Sequence, residues 1–352
     1  MVKVFEPKLH NTMDDLKDEL NTPDLDLILP KIVLVYSHKN YQLTLISAQK
    51  EMSNKFEMIE EELKNSYEYV HMKRNVGDDK GSFAFSKEHF FEMVDKSKEM
   101  IRSGDVFQIL MTNRFTRKIK VDPFSFYRIL RSKNPSPYMF LMEYEDFNIV
   151  GSSPEVMVRL TGGELLLRPI AGTRKRGATK ARDKELEDEL LADPKELSEH
   201  LMLIDLGRND VSRVAKTGSV KVEDMMHIER FSHVMHIVSD VTATLADDKD
   251  MFDLFMATFT AGTMTGAPKI RAMELIAEFE GLKRGFYSGS VGYFGFDGNM
   301  DSAITIRTAM IKKDKVILQA GAGVVADSQN ELEYLEVKNK LGALVASLED
   351  LD

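Results

Sequence analysis

The sequence predicts an α+β protein in which antiparallel β-sheet carries helices on its outer side. Extended segments follow one another at short spacing, and the clearest tight turn between two of them is Gly162-Gly163. Helical segments with apolar residues at i, i+4 and i+7 lie among these strands, as at Leu197, Leu201 and Ile204. Strands that are joined by short turns favour antiparallel pairing, so the helices are expected to pack outside the sheet.

The first 82 residues are expected to be the remnant of an N-terminal region followed by a linker. Two extended runs, Lys31–Tyr36 and Gln42–Ile46, precede a charged helix at residues 49–66 and a polar, glycine-containing linker at residues 75–82. This is too little chain for a core of its own. We therefore expect a truncated N-terminal part, with residues 83–352 forming the main domain.

The main domain is predicted element by element. Ser86 caps a helix that runs to Arg102, with Gly104 just past its end. A second long helix begins near Pro194. The other predicted strands and helices, in chain order, are Val106–Phe115, Tyr138–Tyr144, Phe147–Gly151, Val156–Leu160, Glu164–Ile170, Ser219–Val222, His233–Thr244, the helices Met251–Thr258 and Pro268–Phe279, the strands Ser288–Phe296, Ser302–Lys312 and Lys315–Ala320, and the helix Asn330–Leu348.

Composition excludes several classes of protein. The 352 residues include 57 acidic and 47 basic side chains, giving a formal charge of −10, and no cysteine. Without cysteine there is no disulfide, thiol nucleophile, iron–sulfur cluster or zinc–thiolate site. The negative charge argues against nucleic-acid binding, and no apolar run approaches the roughly 20 residues of a membrane helix. The N-terminus lacks the layout of a signal peptide, so a cytoplasmic location is expected.

Two predicted helices each carry a pair of glutamates three residues apart. The first pair is Glu196 and Glu199, and the second is Glu333 and Glu336. This spacing puts both carboxylates of a pair on one helix face. Two such faces brought together would offer the hard oxygen ligands that Mg²⁺ prefers, whereas an ordinary solvated surface is the alternative.

Three other patterns suggest sites less strongly. Gly321, Gly323 and Ala326 match a dinucleotide-binding fingerprint, but too little chain follows for a Rossmann domain; the glycines could still let backbone N–H groups approach an anion. His233 and His236 lack a third zinc ligand, so one of them is a candidate general acid or base instead. The basic cluster at residues 174–182 precedes an acidic run and is interpreted as a charge-balanced loop.

A series of sequence blocks matches one known enzyme family. The blocks are Asn134-Pro-Ser-Pro-Tyr-Met-Phe140, Arg168-Pro-Ile-Ala-Gly-Thr-Arg174, Lys195-Glu-Leu-Ser-Glu-His-Leu-Met202, Asp205-Leu-Gly-Arg-Asn-Asp210, Ser232-His-Val-Met-His236, Gly262-Thr-Met-Thr-Gly-Ala-Pro-Lys269, Tyr287-Ser-Gly, Asp301 through Arg307, Gln319-Ala-Gly-Ala-Gly-Val-Val325 and Asn339-Lys340. On these blocks the chain resembles the chorismate-utilising enzymes, and within that family it is most similar to the large subunits that make anthranilate. The blocks run in family order from about residue 84 to the C-terminus. The resemblance implies a sandwich of two facing antiparallel sheets with helices outside.

The resemblance also implies the positions of the metal and the substrate. Glu199 and Glu336 are expected to hold Mg²⁺, with Glu196 and Glu333 as close neighbours. The ring carboxylate of chorismate would bridge to the metal. The residues expected to bind the rest of chorismate are Gly172, Thr173, Tyr287, Arg307, Gly321, Ala322, Gly323 and Lys340. An arginine beside a glycine-rich backbone nest suits a carboxylate.

Catalytic candidates follow from the same resemblance. His236 and Thr263 match residues near the leaving groups. Relatives that make aminodeoxychorismate carry a lysine at the position of Ala171, and relatives that add water carry a basic lysine at the position of Gln108. Both lysines are absent, which favours addition of ammonia at C2 of chorismate and elimination of pyruvate to give anthranilate, the first committed step of tryptophan biosynthesis.

The expected partner is a glutamine amidotransferase subunit in a hetero-oligomer, because this chain lacks the cysteine that a glutaminase uses. The alternatives are an aminodeoxychorismate, isochorismate or salicylate synthase, or, from a different class, an inactive binding subunit. Relatives also carry a Leu-Leu-Glu-Ser element that contacts feedback tryptophan, which does not occur here. Pro137, Tyr138 and Met139 match the other side of that pocket and are the expected allosteric remnant.

Overall fold

The computed structural model describes residues 6–13, 16–65, 68–231 and 234–352. The chain forms two compact units, residues 23–72 and residues 1–22 together with 73–352. The described helices are α1 His10–Met13, α2 Phe56–Lys64, α3 Lys87–Arg102, α4 Pro123–Lys133, α5 Lys180–Leu191, α6 Pro194–Ser212, α7 Met251–Thr258, α8 Lys269–Glu280 and α9 Asn330–Glu349, with 3₁₀ turns at Pro7–Leu9, Lys50–Lys55 and Gly262–Met264. None of these helices is long and apolar enough to cross a membrane.

The described strands confirm the predicted antiparallel class. They are β1 Val33–Ser37, β2 Gln42–Ile46, β3 Ser82–Phe83, β4 Gln108–Arg117, β5 Tyr138–Glu143, β6 Asn148–Ser153, β7 Val156–Thr161, β8 Glu164–Leu167, β9 Ile170–Lys175, β10 Lys221–Arg230, β11 Val234–Thr244, β12 Gly266–Ala267, β13 Ser290–Phe294, β14 Met300–Ile304, β15 Thr308–Lys312 and β16 Lys315–Val324. β1 and β2 form the hairpin of the smaller unit.

Two seven-stranded antiparallel sheets build the larger unit. The first sheet has the order β10-β11-β8-β7-β14-β13, with β9 also paired to β11. The second has the order β12-β4-β16-β15-β6-β5, with β3 also paired to β4. The chain passes from the first sheet to the second between β14 and β15. This short crossing contains Arg307, one of the predicted substrate-binding residues.

Helices cover each sheet with apolar side chains. On the second sheet, Phe90 of α3, Phe126 of α4 and Leu341 of α9 pack in one buried cluster with Met111 and Leu318 of the strands. On the first sheet, the buried cluster joins α6 and α7 to β7, β8 and β11. Burial of these apolar faces holds α6 against the first sheet and α9 against the second. These two helices carry the two glutamate pairs.

Several predicted boundaries are wrong. The predicted strand Ser302–Lys312 is two strands, β14 and β15, interrupted at Arg307. The predicted strand Glu164–Ile170 breaks at Arg168-Pro169, since proline cannot donate to the ladder, and β9 follows. The strand predicted at Ser219–Val222 is β10, which begins at Lys221 and extends to Arg230.

The segments around residues 75 and 180 also differ from expectation. The basic and acidic residues from Lys180 onward form helix α5 rather than a loop, and Thr179 caps it. The stretch interpreted as a linker is bonded to the larger unit: Asn75 N–H donates to the Leu351 carbonyl at 2.7 Å, and Ser82 begins a strand. The division at residues 82 and 83 stays a prediction.

Candidate active site

Four glutamate side chains from α6 and α9 form one electrostatic cluster. Burial raises the pKa of Glu199, and the neighbouring charges of Glu196 and Glu336 raise it further. Burial likewise raises the pKa of Glu333, with a second contribution from Glu336. The two helices therefore bring both predicted pairs together, and the cluster carries more negative charge than its surroundings compensate.

Gln108 at the start of β4 orients one of these carboxylates. Its Nε2 donates to Oε1 of Glu199 at 3.1 Å, and the side chain is buried. Gly323, on the neighbouring strand β16, makes room for this amide. A Cβ added at Gly323 would lie only 2.4 Å from Gln108 Nε2. Gln108 thus acts here by positioning Glu199.

Two basic residues pair with the outer members of the glutamate cluster. Arg174 Nη1 donates to Glu196 Oε1 at 3.1 Å, and Lys340 Nζ lies 2.5 Å from Glu336 Oε1. In the part of the chain that the structure describes, no three histidine, aspartate or glutamate side chains converge as a metal site on their own. The donor set is nevertheless hard oxygen, which suits a divalent cation that takes its remaining ligands from water or substrate.

Arg307 lies at the crossing between the two sheets. Its backbone adopts a φ of 50°, in the left-handed region, where the chain leaves β14 for β15. Burial lowers the pKa of its guanidinium, while Tyr287, Glu155 and Glu336 favour the charged form. Among the described residues, no acceptor forms a hydrogen bond or ion pair with this guanidinium. A partly buried arginine side chain without a protein acceptor is suited to an anionic ligand.

Gly321 of β16 links two further predicted residues to the same place. Its backbone hydrogen-bonds to Tyr287, whose pKa burial raises to about 12, and its carbonyl accepts from Lys340 Nζ at 2.9 Å. β15 pairs with β16 only as far as Leu318. Beyond Leu318, one edge of β16 is therefore not covered by β15. The backbone N–H and C=O groups of Gly321, and of Gly323 two residues further on, point outward from this edge.

The glycine nest expected at residues 321–323 is wrong in its geometry. These residues continue β16 and pair with β4, Gly321 opposite Thr112 and Gly323 opposite Leu110. Neither glycine has a positive φ, so the segment is extended and lacks the alternating conformation of a nest. The outward backbone groups in this segment therefore belong to an uncovered edge of β16 and not to a nest.

His236 of β11 is held in one orientation by β9. Its Nδ1 lies 2.9 Å from the Gly172 carbonyl and 3.1 Å from Thr173 Oγ1. A carbonyl can only accept, so Nδ1 carries the hydrogen and Nε2 keeps its lone pair. Burial lowers the pKa of His236, and Arg307 and Lys340 lower it further, so the ring is neutral near pH 7. His236 is therefore arranged as a base.

Glu155 is a site residue that the sequence did not single out. Its Oε1 accepts a hydrogen bond from Thr263 Oγ1 at 2.9 Å. Burial raises the pKa of Glu155 to about 7, although Thr263, Arg307 and Lys340 each act to lower it. A carboxyl group with this pKa can hold a proton at neutral pH and release it. A lone glutamate after Pro154 gives no signal in the sequence, because its partner is remote.

The remaining predicted residues have separate outcomes. Pro137, Tyr138 and Met139 lie at the start of β5, where the Tyr138 hydroxyl donates to Asp301 Oδ1 at 2.8 Å. Their allosteric role stays a prediction. His233 lies outside the described residues.

The fold and this constellation define the class of protein. The chain belongs to the chorismate binding enzyme family, whose model matches residues 4–346.

Individual relatives agree with that assignment. The chain is 46% identical over 361 residues to anthranilate synthase component 1 of Aquifex aeolicus, covering 99% of this chain and 72% of the relative. The crystal structure of anthranilate synthase component I from Streptococcus pneumoniae matches with a TM-score of 0.89 and 35% identity, covering 98% of this chain and 78% of that one. The menaquinone-specific isochorismate synthase of Escherichia coli shares the fold, with a TM-score of 0.76 and 21% identity over 88% of this chain and 72% of that one.

Proposed function

We propose that the chain catalyses the anthranilate synthase reaction, in which chorismate and ammonia become anthranilate, pyruvate and water. The observation that carries this proposal is the partly buried Arg307 guanidinium, which has no hydrogen-bond or ion-pair partner among the described residues and interacts electrostatically with Glu336 of the glutamate cluster. A cationic fork beside an acidic, cation-binding cluster suits a substrate with two carboxylates. One carboxylate meets the arginine directly, and the other requires a bridging cation.

The enolpyruvyl carboxylate of chorismate is assigned to Arg307. Tyr287 interacts electrostatically with Arg307. The edge of β16 at Gly321-Ala322-Gly323 offers a further backbone donor at Gly323, because the Gly321 backbone is already bonded to Tyr287. Lys340 holds the Gly321 carbonyl and pairs with Glu336, so it joins the two halves of the site. Gly172 and Thr173 border the substrate on the β9 side, next to His236.

Mg²⁺ fits the other end of the site. Glu199 and Glu336 would hold the ion, with Glu196 and Glu333 beside them. Burial, and after it the neighbouring carboxylates, raise the pKa values of Glu199 and Glu333, and a cation would stabilise the charged forms. The bound ion supplies Lewis-acid withdrawal of charge through the ring carboxylate. Gln108 fixes the direction from which Glu199 reaches it.

Glu155 is assigned the first proton transfer. Ammonia adds to C2 while the C4 hydroxyl departs, and the protonated Glu155 carboxyl gives its proton to that hydroxyl, which leaves as water. The nitrogen now bound to C2 gives up one proton to solvent and becomes a neutral amine. The pKa of about 7 lets the group be protonated before the step. Thr263, predicted near the leaving groups, acts through its hydrogen bond to Glu155.

His236 is assigned the second proton transfer. The intermediate, aminodeoxyisochorismate, must lose a proton from C2 as the bond from C3 to the enolpyruvyl oxygen breaks. His236 Nε2 can accept that proton because Nδ1–H is already committed to the Gly172 carbonyl. The enolpyruvate released in this step takes up one proton at its methylene carbon, which protonated His236 can return, and becomes pyruvate. The ring becomes aromatic.

Two positions support ammonia rather than water or lysine as the nucleophile. Ala171 lies in β9 opposite Ile237, and its methyl group cannot attack a substrate. Gln108 is an amide bound to Glu199 and cannot act as the base that would activate water. Ammonia is expected from a glutamine amidotransferase subunit in a hetero-oligomer. Pro137, Tyr138 and Met139 remain the proposed remnant of a feedback site, and a cytoplasmic location remains a prediction.

The test is product identification with the purified chain. Chorismate, Mg²⁺ and ammonium at alkaline pH should yield anthranilate and pyruvate. Arg307→Lys keeps the charge but loses the planar fork, so KM for chorismate should rise by about tenfold or more. Arg208→Lys, at an exposed position of α6, is the matched control and should behave like the wild type. Aminodeoxychorismate, isochorismate or salicylate as the only product would refute the proposal, and a folded chain without turnover would favour an inactive binding subunit.

A further inference from the structure

A small cavity lies on one side of Glu155, within the larger unit. Its volume is about 20 Å³, and its lining includes Glu155, Thr258, Thr263, Asp210 and Gly207. A space of roughly 10–15 Å³ is enough for one water molecule if polar groups are present to bind it. The cavity is bounded by α6, by the end of α7 and by the strands of the first sheet, and none of the predicted substrate contacts explains it.

The carboxyl group of Glu155 is only half satisfied. Thr263 donates to Oε1 at 2.9 Å, and no donor among the described residues reaches Oε2. The same glutamate and Asp210 both line the cavity, and Asp210 forms a buried ion pair with Lys269 at 2.5 Å. Arg168, with 29% of its side chain exposed, also lines the cavity.

We propose that this cavity holds a water molecule that hydrogen-bonds to Glu155 Oε2 and returns a proton to Glu155 after each turnover. The inference rests on the proposed reaction, because Glu155 must lose one proton per cycle to the departing hydroxyl. The water gives a proton to the Glu155 carboxylate and takes one from solvent by way of the polar lining. Solvent supplies this proton and receives one from the nitrogen that has added to C2, so the whole cycle consumes no net proton and no other reactant. By this route Glu155 regains its proton through the cavity, and no water needs to enter from the substrate side of the site.

The charged groups around Glu155 form two sets, one among the predicted substrate contacts and one in the lining of the cavity. Arg307 from the crossing between sheets and Lys340 from α9 act on it electrostatically and belong to the predicted substrate contacts. Arg168 and Asp210 line the cavity, and the charge of Asp210 is balanced by Lys269. Protons could therefore reach Glu155 past groups that do not contact the substrate.

Gly207 of α6 allows the cavity to be narrowed by one methyl group. A Cβ added there would lie 3.3 Å from Leu167 Cδ2 and 3.8 Å from Val241 Cγ2, both side-chain atoms and neither in the backbone. Gly207→Ala should therefore fold, and alanine is the better helix former. Gly342→Ala in α9 is the matched control, because an added Cβ there meets no atom within 4 Å and Gly342 does not line the cavity.

The experiment combines crystallography with pH profiles. High-resolution structures of the wild type should show an ordered water within hydrogen-bonding distance of Glu155 Oε2, and Gly207→Ala should displace it. Loss of a hydrogen bond to the charged form should raise the alkaline pKa of kcat/KM for chorismate by about one unit. Interrupted proton return should also lower kcat by about tenfold. Gly342→Ala should change neither quantity.

Several outcomes would overturn the inference. One is a wild-type structure without a water at Glu155. Another is a Gly207→Ala variant that has lost the water but keeps wild-type kcat and pH profile. A third is an altered profile with the water still in place. If the folded wild type does not turn over chorismate at all, the proposed function fails, whereas the crystallographic result still tells whether the cavity is hydrated.

Discussion

Thr263 Oγ1 donates a hydrogen bond to Glu155 Oε1 at 2.9 Å, although the two residues are 108 positions apart in the chain. Glu155 precedes β7 in the first sheet, and Thr263 belongs to the 3₁₀ turn Gly262–Met264. The bond stabilises the charged carboxylate against burial, which still leaves the pKa of Glu155 at about 7. It therefore sets the pH at which the proposed acid can act.

Thr263→Val should shift the pH profile to higher pH. Removal of the donated hydrogen bond destabilises the carboxylate, so the pKa of Glu155 rises above its value of about 7. Because the acid must be protonated, kcat/KM for chorismate, expressed per concentration of free NH₃, falls as pH rises through this pKa in the wild type. In the variant that fall should begin about one unit higher.

Thr263→Ser is the control for this measurement, since it retains the hydroxyl. The alkaline limb of its pH profile of kcat/KM for chorismate should coincide with that of the wild type. A valine variant with an unshifted limb would contradict the role given to the Thr263–Glu155 bond.

Glu155→Gln should abolish proton donation and leave binding intact. The amide resembles the protonated carboxyl in shape and cannot supply a proton, so kcat should drop by a factor of about 10²–10⁴. The dissociation constant of chorismate, measured by equilibrium binding, should change little. Glu164→Gln on the exposed side of β8 should retain full activity. Near-normal kcat in Glu155→Gln would show that another group protonates the hydroxyl.

Glu199→Ala and Glu336→Ala should each remove Mg²⁺-dependent activity and leave the fold largely intact. Glu199 is a crowded carboxylate with a raised pKa, so its removal relieves repulsion and costs no ion pair of its own. Turnover would be measured across a Mg²⁺ titration, together with thermal unfolding. Glu349→Ala, at the exposed end of α9, serves as the control. Saturable Mg²⁺ activation in either glutamate variant would show that the metal is held elsewhere.

Gln108→Leu should weaken Mg²⁺ binding without removing it. The substitution keeps the approximate volume but deletes the 3.1 Å hydrogen bond that orients Glu199. Outer-shell partners of this kind typically contribute about 10–100-fold to metal affinity, so the Mg²⁺ concentration for half-maximal activity should rise by that factor. Gln42→Leu in β2 of the smaller unit provides the comparison. An unchanged Mg²⁺ requirement in Gln108→Leu would refute the positioning role.

Local patterns predicted much of the fold because they reflect local physics. The cap at Ser86 is observed, with His89 N–H donating to Ser86 Oγ at 3.2 Å, and the Gly162-Gly163 turn joins β7 to β8 with both glycines at positive φ. The i, i+3 spacing predicted that the two glutamates of each pair share one face of their helix. The spacing did not show that the two faces meet, which depends on packing α6 and α9 on different sheets.

The parts that the sequence could not predict depend on contacts between distant residues. Ser302–Lys312 has continuous strand propensity, and only the transfer between sheets forces the break at Arg307. Gly321 and Gly323 match part of a dinucleotide-binding fingerprint, yet pairing with β4 makes them strand residues. Glu155 acquires its pKa from burial and from Thr263, neither of which is visible in its neighbours in the sequence.

The most direct test of the account is the fate of nitrogen and of the three-carbon fragment in a single reaction. The purified chain would be incubated with chorismate, Mg²⁺ and ¹⁵N-ammonium, and the aromatic product and pyruvate would be quantified by mass spectrometry. We predict anthranilate that carries one ¹⁵N, formed in equal amount to pyruvate, and none from Glu336→Ala. An aromatic or cyclohexadiene product without ¹⁵N, or a ¹⁵N-labelled product formed without pyruvate, would contradict the account.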